Sequence, residues 1–192
     1  MYSSHPVWGS KLGAGPIGVA FREKEITQFG AAAQYVKSLR YARTSEPTNP
    51  ISVLKENRGT CSSKHALLAL ASTEIGYTQL KLMLCFFEMS GRNTAGVESI
   101  LESAGLPAIP EAHCFLSIDG ERYDFTGLPA SNESPFDALL FEQEIEPHVL
   151  LAEKTIRHRM YIDGWAKQHD HDPQLVWQTR ERCIAALSNN VG

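Results

Sequence analysis

The sequence predicts an α+β fold with a mainly antiparallel sheet. Helical periodicity comes first in the 192-residue chain, strand patterns occupy its middle, and helical patterns return at its end. Hydrophobic residues make up 43% and charged residues 21% of the chain, which is typical of a globular protein rather than a disordered one. Because this length suits one compact unit, we expect residues 1–192 to form a single domain.

The first half of the chain is predicted to be mostly helical. Residues 1–20 are rich in Gly, Ser and Pro, so we expect an N-terminal arm or loop there. Apolar residues then recur at three- and four-residue steps, and Thr60 or Ser62 can cap a later helix that Gly76 would end. The predicted elements are helices over residues 25–43, 60–75 and 97–104, and a buried strand over residues 79–87.

The second half contains the clearest hairpin signal. Asp119-Gly120 is typical of a two-residue type I′ turn and is flanked by strand-like segments. Asp172 followed by Pro173 indicates the start of a helix, and we expect residues 150–192 to form a C-terminal helical extension. The predicted elements are hairpin strands over residues 112–118 and 121–126, a strand over 144–152, and helices over 154–167 and 173–187.

Charge and composition exclude several classes of partner and compartment. The net charge of −4 makes a nucleic acid a poor partner. The longest apolar run, residues 82–87, is far shorter than the roughly 20 residues of a membrane-spanning helix, and no secretory leader pattern is present. The four cysteines, at 61, 85, 114 and 183, show no disulfide or zinc-knuckle spacing. We therefore expect a cytoplasmic protein with reduced thiols, no nucleic-acid partner and no membrane association.

Two motifs suggest ligands but favour plainer interpretations. Gly13, Gly15 and Gly18 match a dinucleotide-binding fingerprint, yet no buried strand precedes them and no acidic residue follows at the required distance. A flexible glycine-rich arm is favoured there. The run His169-Asp170-His171-Asp172 resembles a metal cluster, but adjacent loop residues rarely converge on one ion, so a solvated turn is favoured.

A cysteine at the start of a helix is the first candidate for chemistry. Cys61 lies where the loop segment Arg58-Gly59-Thr60 enters a helix. Backbone N–H groups at a helix start favour negative charge, so a thiol there ionises more readily than a free one. The same groups can bind an oxyanion, and Gly59 allows close approach to the backbone. Taken alone, Cys61 would still be interpreted as a buried structural cysteine.

The hairpin supplies two further groups. Around the Asp119-Gly120 turn, residues whose numbers sum to 239 face each other, which places His113 opposite Thr126 and Asp124 on the diagonal of the same face. An imidazole and a carboxylate in these positions can form a hydrogen bond. A Cys, a His and an Asp in this order can supply a nucleophile, a base and an orienting group.

Three short motifs carry a family resemblance: Gly59-Thr60-Cys61 ahead of an apolar helix, His113-Cys114-Phe115, and Asp124-Phe125-Thr126-Gly127. Together they resemble the transglutaminase-like superfamily, over a catalytic core of about residues 45–130. The resemblance implies a papain-like core in which the Cys helix packs on an antiparallel sheet that carries His and Asp. It implies that Cys61 is the nucleophile, that His113 is the general base and acid, and that Asp124 orients His113.

Members of that superfamily include cross-linking transferases, cysteine proteases, deglycosylating amidases and, more distantly, arylamine acetyltransferases. Three positions depart from the usual pattern without removing a catalytic group. His65 stands where a small residue is common, Phe115 replaces a Trp, and Phe125 replaces the Pro after the Asp.

The residues around this core leave alternatives open. His65, one helical turn after Cys61, can be a rival base or a zinc ligand together with Cys61, His113 and Cys114, but a supporting or substrate-facing role is favoured. Asn57 can donate to an oxyanion, although a loop-turn role is favoured. The apolar patterns around Cys85 and Cys183 indicate core positions.

The Cys, His and Asp residues and the family resemblance together imply a cysteine-nucleophile acyl-transfer enzyme that acts on an amide or peptide bond through a thioester. Hydrolysis, as in a protease or amidase, is favoured over transfer to an amine. The substrate would be a protein, a peptide or a small amide, and no cofactor or metal is expected. A catalytically silent binding or scaffolding domain is the main alternative, and a metal-dependent hydrolase using His65 and His113 is a third. The sequence leaves the oligomeric state open.

Overall fold

The computed structural model describes residues 5–189 and has a mixed α+β architecture. Short 3-10 turns occupy Pro6–Gly9 and Pro135–Ala138. The helices are α1 (Pro16–Arg22), α2 (Phe29–Ser38), α3 (Ser52–Glu56), α4 (Cys61–Glu74), α5 (Glu98–Ser103), α6 (Pro147–Gln168) and α7 (Pro173–Asn189). The strands are β1 (Arg40–Tyr41), β2 (Arg58–Gly59), β3 (Lys81–Met89), β4 (Ile109–Ile118), β5 (Glu121–Tyr123) and β6 (Leu139–Glu144).

The main sheet is antiparallel and has the strand order β5-β4-β3-β6. Strands β4 and β5 form the predicted hairpin, with register pairs from Ile118–Glu121 to Leu116–Tyr123, whose residue numbers sum to 239 as predicted. Asp119 and Gly120 have φ values of 51° and 84°, and two positive values are what a type I′ turn requires. A separate pair, β1 and β2, is parallel. The predicted α+β class with an antiparallel sheet is confirmed.

The chain divides into two units, each built from separated stretches. Within the described residues, unit 1 contains 5–83, 114–127 and 144–152, and unit 2 contains 84–113, 128–143 and 153–189. Four of the five boundaries between them fall within β3, β4, β6 and α6, and the fifth follows Gly127. The single domain expected for residues 1–192 stays a prediction.

The N-terminal segment of unit 1 is folded rather than a loose arm. Residues 6–9 form a 3-10 turn whose Val7 is fully buried, and α1 follows. The prediction of an arm or loop over residues 1–20 is therefore wrong for residues 6–9 and 16–20, while residues 10–15 form no helix or strand, and the first four residues lie outside the described chain. The Gly, Ser and Pro content indicated a loop, and the two helical segments, of 4 and 7 residues, are too short to show a helical periodicity.

The glycines of the dinucleotide-like motif make room for a carboxylate of the chain itself. The Glu74 side chain accepts the backbone N–H groups of Ile17 and Gly18, each at 2.8 Å. A Cβ at Gly15 would lie 2.5 Å from Glu74 Cδ. The motif thus joins the start of α1 to the end of α4, which explains its glycines without a nucleotide.

Several element boundaries differ from the predicted ones. The helix predicted over residues 25–43 is shorter, because Glu25 has a positive φ of 61° and the chain becomes extended at Leu39, ahead of β1. The strand predicted over residues 144–152 is wrong: the strand is β6, and α6 begins at Pro147. Proline suits the first helical turn, and the apolar residues after it belong to α6, which contains the helix predicted over 154–167.

Unit 2 is held together by α6 and α7. The rings of Phe86 and Tyr161 stack with their centroids 4.1 Å apart. Glu111 and Arg180 form a buried bidentate ion pair at 2.7 and 2.8 Å, and His158 Nε2 lies 3.1 Å from the Pro110 carbonyl oxygen. Burial lowers the pKa of His158 to about 4, so the ring is neutral near pH 7. The helical nature of the C-terminal extension is confirmed up to residue 189, and residues 190–192 lie outside the described part.

None of the helices within residues 5–189 combines the length and the apolar character that crossing a membrane requires.

Candidate active site

Cys61 is the first residue of α4, and Thr60 is its N-cap. The Thr60 N–H donates to Ser63 Oγ at 2.9 Å, which is one half of a capping box and fixes where the helix begins. The predicted start of this helix is therefore confirmed. Cys61 is only 3% exposed. Its thiol lies at the helix end where backbone N–H groups carry partial positive charge, a setting that stabilises a thiolate.

Gly59 makes room for α4 itself. A Cβ at Gly59 would lie 2.9 Å from Lys64 Cγ and 3.0 Å from Ser63 Oγ. The side chains that approach the backbone at Gly59 most closely are therefore those of Ser63 and Lys64 in α4. A substrate is not needed to explain this glycine.

His65 joins α4 to the segment that follows β5. Its Nε2 accepts the backbone N–H of Phe125 at 2.7 Å, and its Nδ1 lies 2.7 Å from the carbonyl oxygen of Cys61. Because Nε2 is an acceptor, the network assigns the proton of the neutral ring to Nδ1, which donates to Cys61. The ring is completely buried. With both nitrogens engaged and no exposed surface, this geometry favours a supporting role over a base or a substrate-facing group.

Asp124 lies one residue beyond β5. Its Oδ1 accepts the N–H of Thr126 at 2.7 Å, a local turn that diverts the backbone from the ladder. The strand predicted to reach Thr126 therefore ends at Tyr123, so the predicted pairing of His113 with Thr126 lies outside the observed ladder. Oδ1 also lies 3.6 Å from His65 Nε2, which makes Asp124 an electrostatic neighbour of that ring rather than a hydrogen-bond partner.

Lys64 is a buried ammonium group that the sequence analysis missed. Its Nζ donates to the carbonyl oxygens of Leu39 at 2.6 Å and Thr126 at 2.7 Å, and the residue has no exposed surface. Burial lowers its pKa to about 8, while the negative charges of Asp124 and Cys61 oppose that shift. A signal was present, since Lys64 and His65 interrupt an otherwise apolar face of α4.

His113 lies on β4 and belongs to unit 2. It is 9% exposed, and its ring packs edge-on against Phe87 and beside Phe136, with centroid distances of 6.1 and 6.0 Å. The structure thus brings Cys61, His65 and Asp124 together around Lys64 within unit 1. The role of His113 as the base stays a prediction.

Asn57 supports a turn. It has a left-handed conformation (φ 51°, ψ 38°) at the end of α3 and is exposed. Its Oδ1 accepts hydrogen bonds from Tyr35 Oη at 2.9 Å and Lys24 Nζ at 3.1 Å. These contacts favour the loop-turn role over donation to an oxyanion.

The other cysteines and the His-Asp run have structural settings. Cys85, Cys114 and Cys183 are buried, and burial raises the pKa of Cys183 to about 11. His169 stacks on Trp165 at 4.4 Å, and Asp172 caps α7 by accepting the N–H of Gln174. Within residues 5–189, no group of three or more His, Cys, Asp and Glu side chains is placed to hold a metal ion.

Comparison with known proteins adds no relative: no protein-family model, no curated protein and no solved structure matches the chain.

Proposed function

We propose that the protein is a cysteine-nucleophile acyl-transfer enzyme with a papain-like core of the transglutaminase type, acting on an amide or peptide bond. The observation that carries the proposal is the setting of Cys61. It is the first residue of a capped 14-residue helix, and the charged Lys64 lies one turn away. A helix N-terminus and a nearby cation are the features that activate thiol nucleophiles.

The proposed reaction has two steps. His113 takes the proton of the Cys61 thiol, and the thiolate attacks the carbonyl carbon of the substrate amide. The tetrahedral intermediate collapses as His113 returns the proton to the departing amine, which leaves a thioester on Cys61. Water then attacks the thioester, giving a carboxylic acid and the free thiol. The substrate class is a protein, a peptide or a small amide.

We also propose that the protein works in a reducing compartment, the cytoplasm. All four cysteines carry thiols rather than disulfides, and a thiol nucleophile must stay reduced to act. A cytoplasmic location meets that requirement and is proposed together with the activity.

A catalytically silent binding or scaffolding domain is the alternative, and two observations favour it. One oxygen of Asp124 is occupied by the N–H of Thr126, and Cys61 has only 3% of its surface exposed. An arrangement of this kind can hold a fold together without performing chemistry. The two candidates differ in what they predict for the reactivity of the Cys61 thiol.

Alkylation by iodoacetamide tests the proposal. The rate at each cysteine is measured by peptide mapping between about pH 5 and 9, in the wild type and in His113→Ala, with His148→Ala as an exposed-histidine control. We expect Cys61 to react faster than a free thiol near neutral pH, and His113→Ala alone to slow it. A Cys61 rate no faster than that of a free thiol, unchanged in His113→Ala, would leave the silent domain as the better account.

A further inference from the structure

Lys64 is held in place by three parts of unit 1. It is part of α4, and its Nζ donates to the Leu39 carbonyl oxygen after α2 and to the Thr126 carbonyl oxygen after β5. Glycine is required at position 127, beside Lys64. Its φ is +79°, and a Cβ there would clash with a backbone carbonyl oxygen of α2. The same Cβ would lie 3.5 Å from Lys64 Nζ. A position defined by three segments is suited to fixing a charge in space.

Burying the positive charge of Lys64 costs free energy, and the packing of its side chain gives no reason for the charge. An ammonium group in a site without solvent loses its hydration, and a methionine would fill the same space without that loss. Two of its three N–H groups bind carbonyl oxygens, which would be satisfied equally by a neutral amine. The buried positive charge therefore calls for negative charge nearby.

Two groups that carry negative charge when ionised, Cys61 and Asp124, act on the Lys64 charge. Cys61 and Lys64 are three residues apart on α4, so their side chains share a helix face. Asp124 lies two residues before the Thr126 carbonyl that Lys64 binds, with His65 at 3.6 Å from its carboxylate. Asp124 and ionised Cys61 both favour the charged form of Lys64. Because such coupling is reciprocal, charged Lys64 favours the thiolate of Cys61 by the same amount.

We propose that Lys64 is a positioning residue of the candidate site, which anchors the Asp124 segment to α4 and supplies the fixed positive charge that stabilises the Cys61 thiolate. This inference deepens the proposed acyl transfer and rests on it. Lys64 does not touch the substrate; it acts through Cys61 and Asp124. At neutral pH it is mostly protonated, and it loses its proton around pH 8.

The test is the ionisation of Cys61 itself. Thiolate absorbance in the far ultraviolet is titrated as the difference between each protein and its Cys61→Ser counterpart. The proteins are the wild type, Lys64→Met, and Lys55→Met, which removes an exposed lysine of α3. We expect the titration midpoint in Lys64→Met to rise by about one pH unit or more, equal to roughly tenfold less thiolate below the midpoint. Lys55→Met should match the wild type, and a Lys64→Met midpoint equal to it would overturn the proposal.

A second measurement covers the case in which Lys64→Met does not fold. The titration of the Lys64 amine is followed by NMR in the wild type and in Cys61→Ser. Removing the thiolate should lower the pKa of Lys64, and an unchanged pKa would overturn the proposal.

Acylation separates the two hypotheses. If Lys64 and Cys61 titrate together but no substrate acylates Cys61, the proposed function fails and the role of Lys64 stands. If Lys64→Met keeps both acylation and the wild-type pH profile, the role of Lys64 fails and the proposed function stands.

Discussion

Replacing His65 by leucine should destabilise the fold through two identified hydrogen bonds. The Phe125 N–H would lose its acceptor in a buried site, which costs about 1–3 kcal/mol. The Cys61 carbonyl oxygen would lose a side-chain donor while keeping its place in the helical ladder, a loss of about 1 kcal/mol. We therefore expect a total of about 2–4 kcal/mol, or roughly 5–15 °C in Tm for a chain of this size.

A matched series separates the two bonds. Gln places its terminal atoms near the Nε2 position, so His65→Gln should retain the Phe125 bond, whereas His65→Asn should retain the bond to Cys61. Both should lose less stability than His65→Leu in urea denaturation followed by circular dichroism. The exposed His148→Ala should stay within about 0.5 kcal/mol of the wild type. If His65→Leu were as stable as that control, the assigned link between α4 and the post-β5 segment would be refuted.

Three further predictions concern stability. Because burial lowers the pKa of His158 to about 4 while the unfolded ring titrates near 6.5, the unfolding free energy should fall by about 3 kcal/mol as pH drops between those values. His158→Gln should remove that part of the slope in urea titrations, and equal slopes would contradict the assignment. Removing either partner of the buried Glu111–Arg180 pair should lower the unfolding free energy by about 3–5 kcal/mol. A double variant with apolar residues at both positions should lose less stability than the two single variants added together. Additive losses in urea denaturation would argue against a buried pair. Gly120→Ala should lower the unfolding free energy by about 1–2 kcal/mol, because Gly120 has a positive φ but open space around it. Gly127→Ala should have a clearly lower Tm than Gly120→Ala, because Gly127 has a positive φ and is also crowded. Equal Tm values would show that the crowding at Gly127 has no effect on stability.

Local signals predicted the elements that position Cys61 and the hairpin. Thr60 and Gly76 mark the ends of α4 because capping depends on a few adjacent residues. Asp119-Gly120 fixed the hairpin and its register because few residue pairs adopt two positive φ values. Asp172-Pro173 likewise marked the start of α7. In each case the information lies within four residues of the boundary.

Features that depend on tertiary contacts were not predicted. The glycines near the N-terminus suggested a loop. Their packing against Glu74 was not predicted, because Glu74 lies 57 residues from Ile17 in the sequence. Lys64 and His65 were not recognised as a buried polar pair, since their acceptors and donors come from Leu39, Thr126 and Phe125. Their place on an apolar face of α4 was a signal, but a helical pattern does not say which distant segments supply the hydrogen-bond partners, and the three-dimensional structure does.

The proposed acyl transfer requires a covalent acyl intermediate on Cys61. The direct measurement is to incubate the protein with an activated acyl ester, quench in acid, and locate any added acyl group by intact mass and peptide mapping. We expect one acyl group on Cys61, absent in Cys61→Ser and formed more slowly in His113→Ala. Absence of acylation, or acylation spread over Cys85, Cys114 and Cys183 at rates that His113→Ala leaves unchanged, would contradict it.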